Sequence, residues 1–538
     1  MLYGPRTPVP SARPLSLSRE GGGVACSDLP SLCDASELRA SPASSGALGG
    51  RVLLDYPPTA PAPLACQLFI VPSPHSTNLP SRASSGAEAD LVERAFERAR
   101  QSPRRRHLAF AAGNSERLTH YLFRYPAKFH PPVVRQLITD LTGDGELLYD
   151  PFCGSGTLLV EARVAGRHAL GSDVDPLAVF ISAVKSRPLA ERRLRRDLGA
   201  LMPALVAHRR SAAEYERLQF DDIARDECAS QLDSLWAPAI PNIEHWFRRY
   251  VIVDLARIFC AIHQAPIPET SRRFFWLVFA SIVRAASNAD PVPVSGLEVT
   301  SHMKRIDAAG RVIDPFALWE RAAEKAIRDM GAFHTAAAPG IRASAVTADA
   351  TCLPASVKRR EVAAIITSPP YHGAVDYYRR HQLEMFWLRL VWDQQQRLRL
   401  LQRYIGRTKV AARHPLVRAK VGLPAPEAVV EQQMREVDAS RADAFRHYCV
   451  AMGRVFGQLA RVLKASSPAV LVVGHSIWRG TALNTSDLFA ELAGPYFRLE
   501  EVLDYPVKNR YMSYARHNGA SIDHEYVLVL RRTKTAAT

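Results

Sequence analysis

Two short stretches of this 538-residue chain combine residue types that chemistry can use. The first, Asp150-Pro151-Phe152-Cys153-Gly154-Ser155-Gly156-Thr157, follows the apolar run ELLYD at 146–150 and precedes the helical pattern LLVEARVAG. Two glycines one residue apart at the end of a strand let the backbone pass close to a ligand without Cβ clashes. A dinucleotide fingerprint would put a third glycine at 159, where leucine stands, and no Gly-Lys dipeptide exists to make a P-loop. Asp173 ends the next predicted strand, HALGSDVD at 168–175, where a carboxylate suits ribose hydroxyls. The second stretch, Thr367-Ser368-Pro369-Pro370-Tyr371, follows the apolar run Val362–Ile366. Its prolines fix φ and remove two N–H donors, which leaves carbonyls in a rigid arc. A serine hydroxyl and such carbonyls can accept hydrogen bonds from an exocyclic amine, and the aromatic ring beside them can stack on a planar base. Taken singly, the first stretch is equally a plain tight turn and the second a rigid loop. Two of them, each closing a strand of one chain, point to a site.

The elements that must position these residues form a strand, glycine turn, helix, second strand and a helix starting at Pro176, a βαβ unit whose ligand crevice lies at the carboxyl ends of the strands. Residues 89–185 make the first part of this core. Residues 186–340 read as a mostly helical insertion, with periodic stretches at 191–207, 243–263 and 270–287. The strand pattern returns at Ala343–Ala348, ending in Asp349, and at Val362–Ile366. Helices are expected at about 377–391 and 440–464, and strands at Ala469–Val473, Leu499–Leu503 and Tyr526–Leu530, so that 341–538 completes the core. In HQLEMFWLRL, 381–390, Leu383, Phe386, Trp387 and Leu390 recur at helical spacing and read as packing beneath the Ser-Pro-Pro-Tyr loop. Residues 1–88 are rich in Pro, Ser, Gly and Ala, contain no lysine, and read as low-complexity, disordered chain.

Composition bounds the rest. With 47% hydrophobic and 23% charged residues, the chain is an ordinary globular protein of several domains, and a disulfide mini-protein or a fibre is excluded. The longest apolar stretch, Phe274–Val283, is half of what a bilayer crossing needs, and MLYGPRTPVP lacks the pattern of a secretory signal. No membrane association is expected, and the expected location is the cytoplasm. Eight scattered cysteines show no close-spaced pair and read as reduced thiols, so no metal is expected. The net charge of +16 suggests a polyanion. Residues 1–88 contribute none of it, because six arginines balance six acids there. Half lies in 394–426, where Arg397, Arg399, Arg403, Arg407, Lys409, Arg413, Arg418 and Lys420 meet no acid, and phosphate contact is expected there.

Together, DPFCGSGT, SPPY and the upstream Tyr125-Pro126-Ala127-Lys128-Phe129-His130-Pro131 resemble motifs I, IV and X of the S-adenosylmethionine-dependent amino DNA methyltransferases, over roughly residues 115–185 and 343–531. The resemblance implies a Rossmann-like α/β fold with a seven-stranded, mostly parallel sheet and helices on both faces. It implies S-adenosylmethionine as cofactor, lined by Phe129, Asp150, Phe152, Gly154, Ser155, Gly156 and Thr157, with Asp173 on the ribose and Asp349 near the adenine. Ser368, Pro369, Pro370 and Tyr371 would then form the target-base site. The Ser-Pro-Pro-Tyr form is similar to that of cytosine-N4 enzymes, whereas adenine-N6 enzymes usually begin with Asp or Asn.

The expected activity is therefore direct transfer of a methyl group to the N4 amine of cytosine in DNA, on a base rotated out of the duplex. No Pro-Cys dipeptide is present, which argues against the covalent route to C5-methylation, and Cys153 reads as a packing residue. The alternatives are an adenine-N6 DNA enzyme, an RNA enzyme acting on an exocyclic amine, and a methyltransferase-like protein that binds nucleic acid without catalysis. A cognate restriction or defence protein is a candidate partner. The insertion is a candidate for target recognition through Asn242-Ile243-Glu244-His245-Trp246-Phe247 and the loop 287–301, with helix packing the alternative for Trp246 and Phe247.

Overall fold

The computed structural model describes residues 105–107, 118–126, 128–291, 297–373, 377–478, 481–507 and 524–534. The segment 1–88, the short helix expected just after it, and part of the loop 287–301 lie outside the described residues.

Ten strands are described: β1 (Arg105–His107), β2 (Leu147–Asp150), β3 (His168–Asp173), β4 (Ala343–Thr347), β5 (Ala364–Thr367), β6 (Pro468–Val473), β7 (Ser476–Trp478), β8 (Thr481–Leu483), β9 (Phe497–Pro506) and β10 (His524–Arg532). Strands β7 and β8 form a separate two-stranded hairpin. The others make one sheet in the order β1-β9-β10-β6-β5-β2-β3-β4. The pairs from β4 through β6 are parallel, and β10 runs antiparallel to both its neighbours. Seven strands, β4 to β9 in spatial order, are thus the mostly parallel sheet expected. The three-residue β1, paired parallel with β9, is an additional edge that the sequence did not signal.

Central strands are apolar on both faces because helices cover both. Leu148, Ala364, Ile366, Val470 and Val472 face a core closed by helices Pro131–Leu141 and Thr157–Val164. Tyr149, Ile365, Leu471 and Val473 face the opposite core, built on helix Ala439–Val462. Helix Pro176–Lys185 starts where Asp175 caps it, accepting from the Leu177 and Ala178 N–H groups, with Pro176 at the first turn.

Among the described residues the insertion folds into eight helices between Glu191 and Ala336. All of them except Ser301–Ala308 share one apolar cluster with helices Pro176–Lys185 and Tyr377–Trp387. Leu383, Phe386, Trp387 and Leu390 are buried as expected, but their partners belong to the insertion: Trp387 meets Trp236, Phe247 and Phe279 edge-on. The stretch read as one helix over 243–263 is two, Ile243–Trp246 and Arg249–Gln264. The break sets Phe247 in the core and lets the Arg248 guanidinium bond the Gln219 and Arg311 carbonyls and Asp307.

Candidate active site

From β2 the chain moves outward through β3 to β4, and from β5 it moves the other way to β6, although β2 and β5 are neighbours. A crevice opens at the carboxyl ends of strands that diverge in this way. Asp150, Asp173 and Thr367 are the last residues of β2, β3 and β5 and meet there. Asp150 Oδ1 accepts from the Phe152 N–H at 3.1 Å and from Thr367 Oγ1 at 2.6 Å, joining the glycine turn to the root of the proline loop. Asp173 accepts from the Gly154 N–H at 2.9 Å and from the Asp175 N–H at 3.0 Å.

The glycine turn is held from beneath by helix Pro176–Lys185. Ser182 Oγ donates to the Gly154 carbonyl at 2.7 Å, and the fully buried Lys185 Nζ donates to the Ser155 carbonyl at 2.6 Å. Gly156 has φ of +76°, and a Cβ there would lie 2.9 Å from Ser182. Only glycine fits both the backbone and the space.

One cleft, about 850 Å³ including the space open to solvent, contains ten of the thirteen residues expected at the site. These are Phe129, Asp150, Phe152, Gly154, Ser155, Thr157, Asp173, Asp349, Ser368 and Pro370. Gly156 packs on Ser182 rather than lining it, and Pro369 is buried behind it. Tyr371 turns toward the sheet, where its hydroxyl donates to Glu525 Oε1 at 3.0 Å and Tyr505 donates to the other oxygen of that carboxylate. The Pro370 carbonyl accepts from Tyr448 at 3.1 Å, so it fixes the loop to helix Ala439–Val462. Asp349 Oδ1 is engaged by the N–H and hydroxyl of Thr351.

Among the further residues that line the cleft and that sequence reading did not assign to it are Tyr125, Lys128, Asp175, Arg403, Tyr404 and Ile405. The first three lie beside assigned positions and could have been found by extending each motif. Arg403-Tyr404-Ile405 had no such signal, since they come from the basic segment by tertiary folding alone. Tyr404 is buried close to Asp175, whose charge, after burial itself, pushes the phenol well above its ordinary value. Gly406 then presses on the target loop: its carbonyl takes the Gly373 N–H at 2.9 Å, and a Cβ on it would stand 2.8 Å from the Tyr371 carbonyl.

Burial pushes the three acids up, Asp150 and Asp175 to about 7 and Asp173 to about 6, and the Asp173 charge raises the other two further. Hydrogen bonds from Thr367 and the Phe152 N–H oppose the rise at Asp150. Burial lowers Lys128 to about 8. The Cys153 thiol is held well above its ordinary value by burial and by Asp173 and Asp150, which makes it inert packing.

Residues 90–183 match the DNA methylase family model, N6_N4_Mtase. The chain is 30% identical over 185 residues to the Type II methyltransferase M.MvaI of Kocuria varians, which covers 34% of this chain and 37% of that protein. It is 25% identical over 138 residues to the Type II methyltransferase M.MjaII of Methanocaldococcus jannaschii, covering 26% of this chain and 23% of that one. A shorter similarity, 38% over 55 residues, covers 10% of this chain and 16% of the tRNA (guanine(10)-N2)-dimethyltransferase of Methanothermobacter thermautotrophicus. The chain therefore spans well under half the length of these relatives. The segment 90–183, with its glycine turn, is similar to the amino DNA methyltransferases.

The cofactor that this family implies carries an ammonium and a sulfonium. The buried Asp150 and Asp175 and the half-buried Asp173, whose charge acts on both, suit a ligand with positive charge in a cleft of this size, and Asp173 stands where two hydroxyls could share its oxygens. The residues present fit the group.

Proposed function

We propose that the protein is an S-adenosylmethionine-dependent DNA methyltransferase acting on the exocyclic N4 amine of cytosine. The observation that carries this reading is the buried 2.6 Å hydrogen bond from Thr367 to Asp150, which makes the glycine turn and the proline loop two walls of one cleft. When bound, the cofactor supplies a methyl group on a sulfonium. Asp150 and Asp173 would hold the cofactor's ammonium and ribose, with Phe129 and Phe152 against its apolar parts.

The N4 amine is a poor nucleophile because its lone pair is delocalised into the ring. Ser368 Oγ at the cleft wall, with the Pro369 carbonyl, would accept the amine hydrogens, direct the lone pair into the cleft and stabilise positive charge developing on nitrogen. The Pro370 carbonyl is engaged by Tyr448 and would hold the loop rather than read the base. Tyr371, its ring fixed through Glu525, would border the space of a base rotated out of the duplex. Serine ahead of the two prolines supports N4 over adenine N6 by similarity to the cytosine-N4 motif. The 55-residue similarity to a tRNA dimethyltransferase favours a second reading, transfer to an exocyclic amine in RNA. A cytoplasmic location and a cognate restriction or defence partner complete the proposal.

The test is incubation with labelled S-adenosylmethionine and duplex DNA or RNA, followed by digestion and nucleoside identification. N4-methylcytosine from DNA is the expected product. N6-methyladenine would overturn the base assignment, a methylated RNA nucleoside would establish the second reading, and no transfer to either would leave a binding protein. Ser368→Ala should abolish transfer, and wild-type rates in that variant would refute the site.

A further inference from the structure

The chain carries two populations of cations. Across the helical insertion most arginines are matched to carboxylates, among them Arg195 to Glu191 and Glu324, Arg209 to Asp314 and Glu320, and Arg210 to Asp254. Along 399–420 the pattern reverses. Arg399, Arg403, Lys409, Arg413, Arg418 and Lys420 are all exposed, and among the described residues none of the six pairs with a carboxylate. Six exposed cations held together without counter-charge repel one another, and a polyanion relieves that repulsion.

Their backbone is nonetheless firmly seated. Val410, Leu416 and Val417 point inward and are buried. Arg446, on helix Ala439–Val462, donates to the Val417, Ala419 and Val421 carbonyls at 2.9, 2.8 and 2.9 Å, and the His414 ring packs edge-on against His447. At the other end the segment enters the active-site wall, with Arg403 on the cleft, Tyr404 buried close to Asp175 and Gly406 against the target loop. A surface with apolar residues inward, cations outward and its root in the cleft is a built platform.

We propose that residues 399–420 form the strap that grips the nucleic-acid backbone, and that Arg403 contacts the phosphate nearest the target nucleotide, at the mouth of the cleft. The helical insertion, with most of its arginines paired internally, does not carry the main backbone contact. This rests on the proposed reading only in taking the polyanion to be duplex DNA. Because Arg403 and Tyr404 are adjacent in one segment, the backbone contact and the cleft wall are supplied by neighbouring residues.

The test measures dissociation constants of the full-length chain for a labelled 30-bp duplex across a salt series. Each lost phosphate contact lowers the slope of log K against log salt by about 0.9. The Lys409→Ala, Arg413→Ala, Arg418→Ala, Lys420→Ala quadruple variant should flatten the slope by roughly 3 to 4 and weaken binding more than tenfold at low salt. Arg403→Ala alone should flatten it by about 1. Arg328→Ala, on the exposed face of the insertion, should leave the slope at the wild-type value. Circular dichroism and urea midpoints verify that the variants fold. An unchanged slope in the quadruple variant overturns the proposal, as does a slope that falls with Arg328→Ala instead. Loss of binding to phosphatidylserine vesicles with an unchanged DNA slope would also overturn it and assign the strap to a lipid surface. The assay needs no methyl transfer: a flattened slope without transfer to any substrate leaves the strap standing and removes the catalytic reading. Transfer with an unchanged slope does the converse.

Discussion

Thr367→Val isolates the contact on which the site depends. Valine keeps the branch and nearly the volume of threonine, so only the hydroxyl that donates to Asp150 is removed. Both residues are buried, so no water replaces the donor. A hydrogen bond to a buried charged acceptor contributes about 1.5–3 kcal/mol, so a loss of about 2 kcal/mol is expected, roughly a 30-fold shift in the folding equilibrium. The size of the loss must depend on pH. Asp150 in the folded chain titrates at about 7, and the Thr367 hydroxyl favours its charged form. At pH 8.5 the carboxylate is ionised and the full loss appears. At pH 5.5 it is protonated in wild type and variant alike, and the loss should shrink to about 1 kcal/mol or less. Urea titrations of both proteins at the two pH values measure this, with the slope of free energy against urea unchanged. A packing defect would cost the same at both pH values. Equal differences, or none, would refute the reasoning.

The same acids predict a pH dependence for the cofactor. Asp150, Asp173 and Asp175 have folded-state values above their ordinary 3.8, so the ligand-free chain loses stability as pH rises from about 4 toward 7. A cationic ligand draws on those charges, so calorimetry should show S-adenosylmethionine binding more than about tenfold weaker at pH 5.5 than at pH 8, and a flat profile would refute the assignment. Gly156→Ala forces a side chain into a left-handed position and against Ser182, and should cost about 2–4 kcal/mol in unfolding free energy, whereas a wild-type urea midpoint would show that the turn is not as described. Glu525→Ala removes the acceptor for Tyr371 and Tyr505 and should lower the transfer rate on saturating DNA, with Glu525→Gln retaining most of it; equal rates in all three proteins would show that the ring needs no such support.

Much of this arrangement was legible in the sequence, because it is local. Asp150, Asp173 and Thr367 sit at strand ends marked by apolar runs, and the turn between Asp150 and Thr157 announces itself through its glycines. What escaped was carried by long-range contacts. Tyr404 reaches Asp175 across more than two hundred residues with no periodic signal to suggest it. Tyr371, expected against the target base, has its hydroxyl anchored on Glu525, on a strand 154 residues away. The insertion looked separable because its helices are amphipathic in their own right. Its partners in the shared core, helices Pro176–Lys185 and Tyr377–Trp387, lie on either side of it in sequence. The break at Phe247 and Arg248 follows from an arginine seeking three distant acceptors, which no helix propensity encodes.

Strands β3 and β4 lie side by side in the sheet although about 170 residues separate them in the chain. Closing so long a loop as free chain is entropically costly and slow. Here most of the intervening helices pack on helix Pro176–Lys185, directly after β3, so the growing polypeptide can assemble much of their core before β4 is made, and helix Tyr377–Trp387 completes it afterwards. That body returns the chain to the sheet edge, with Ala338 N–H bonded to the Arg163 carbonyl just before β4 begins. During synthesis the cleft is thus completed from one side late, when β4 brings Asp349 into place and the proline loop follows. Cofactor binding would then report on the finished fold, and ligand added during refolding should accelerate only the last phase.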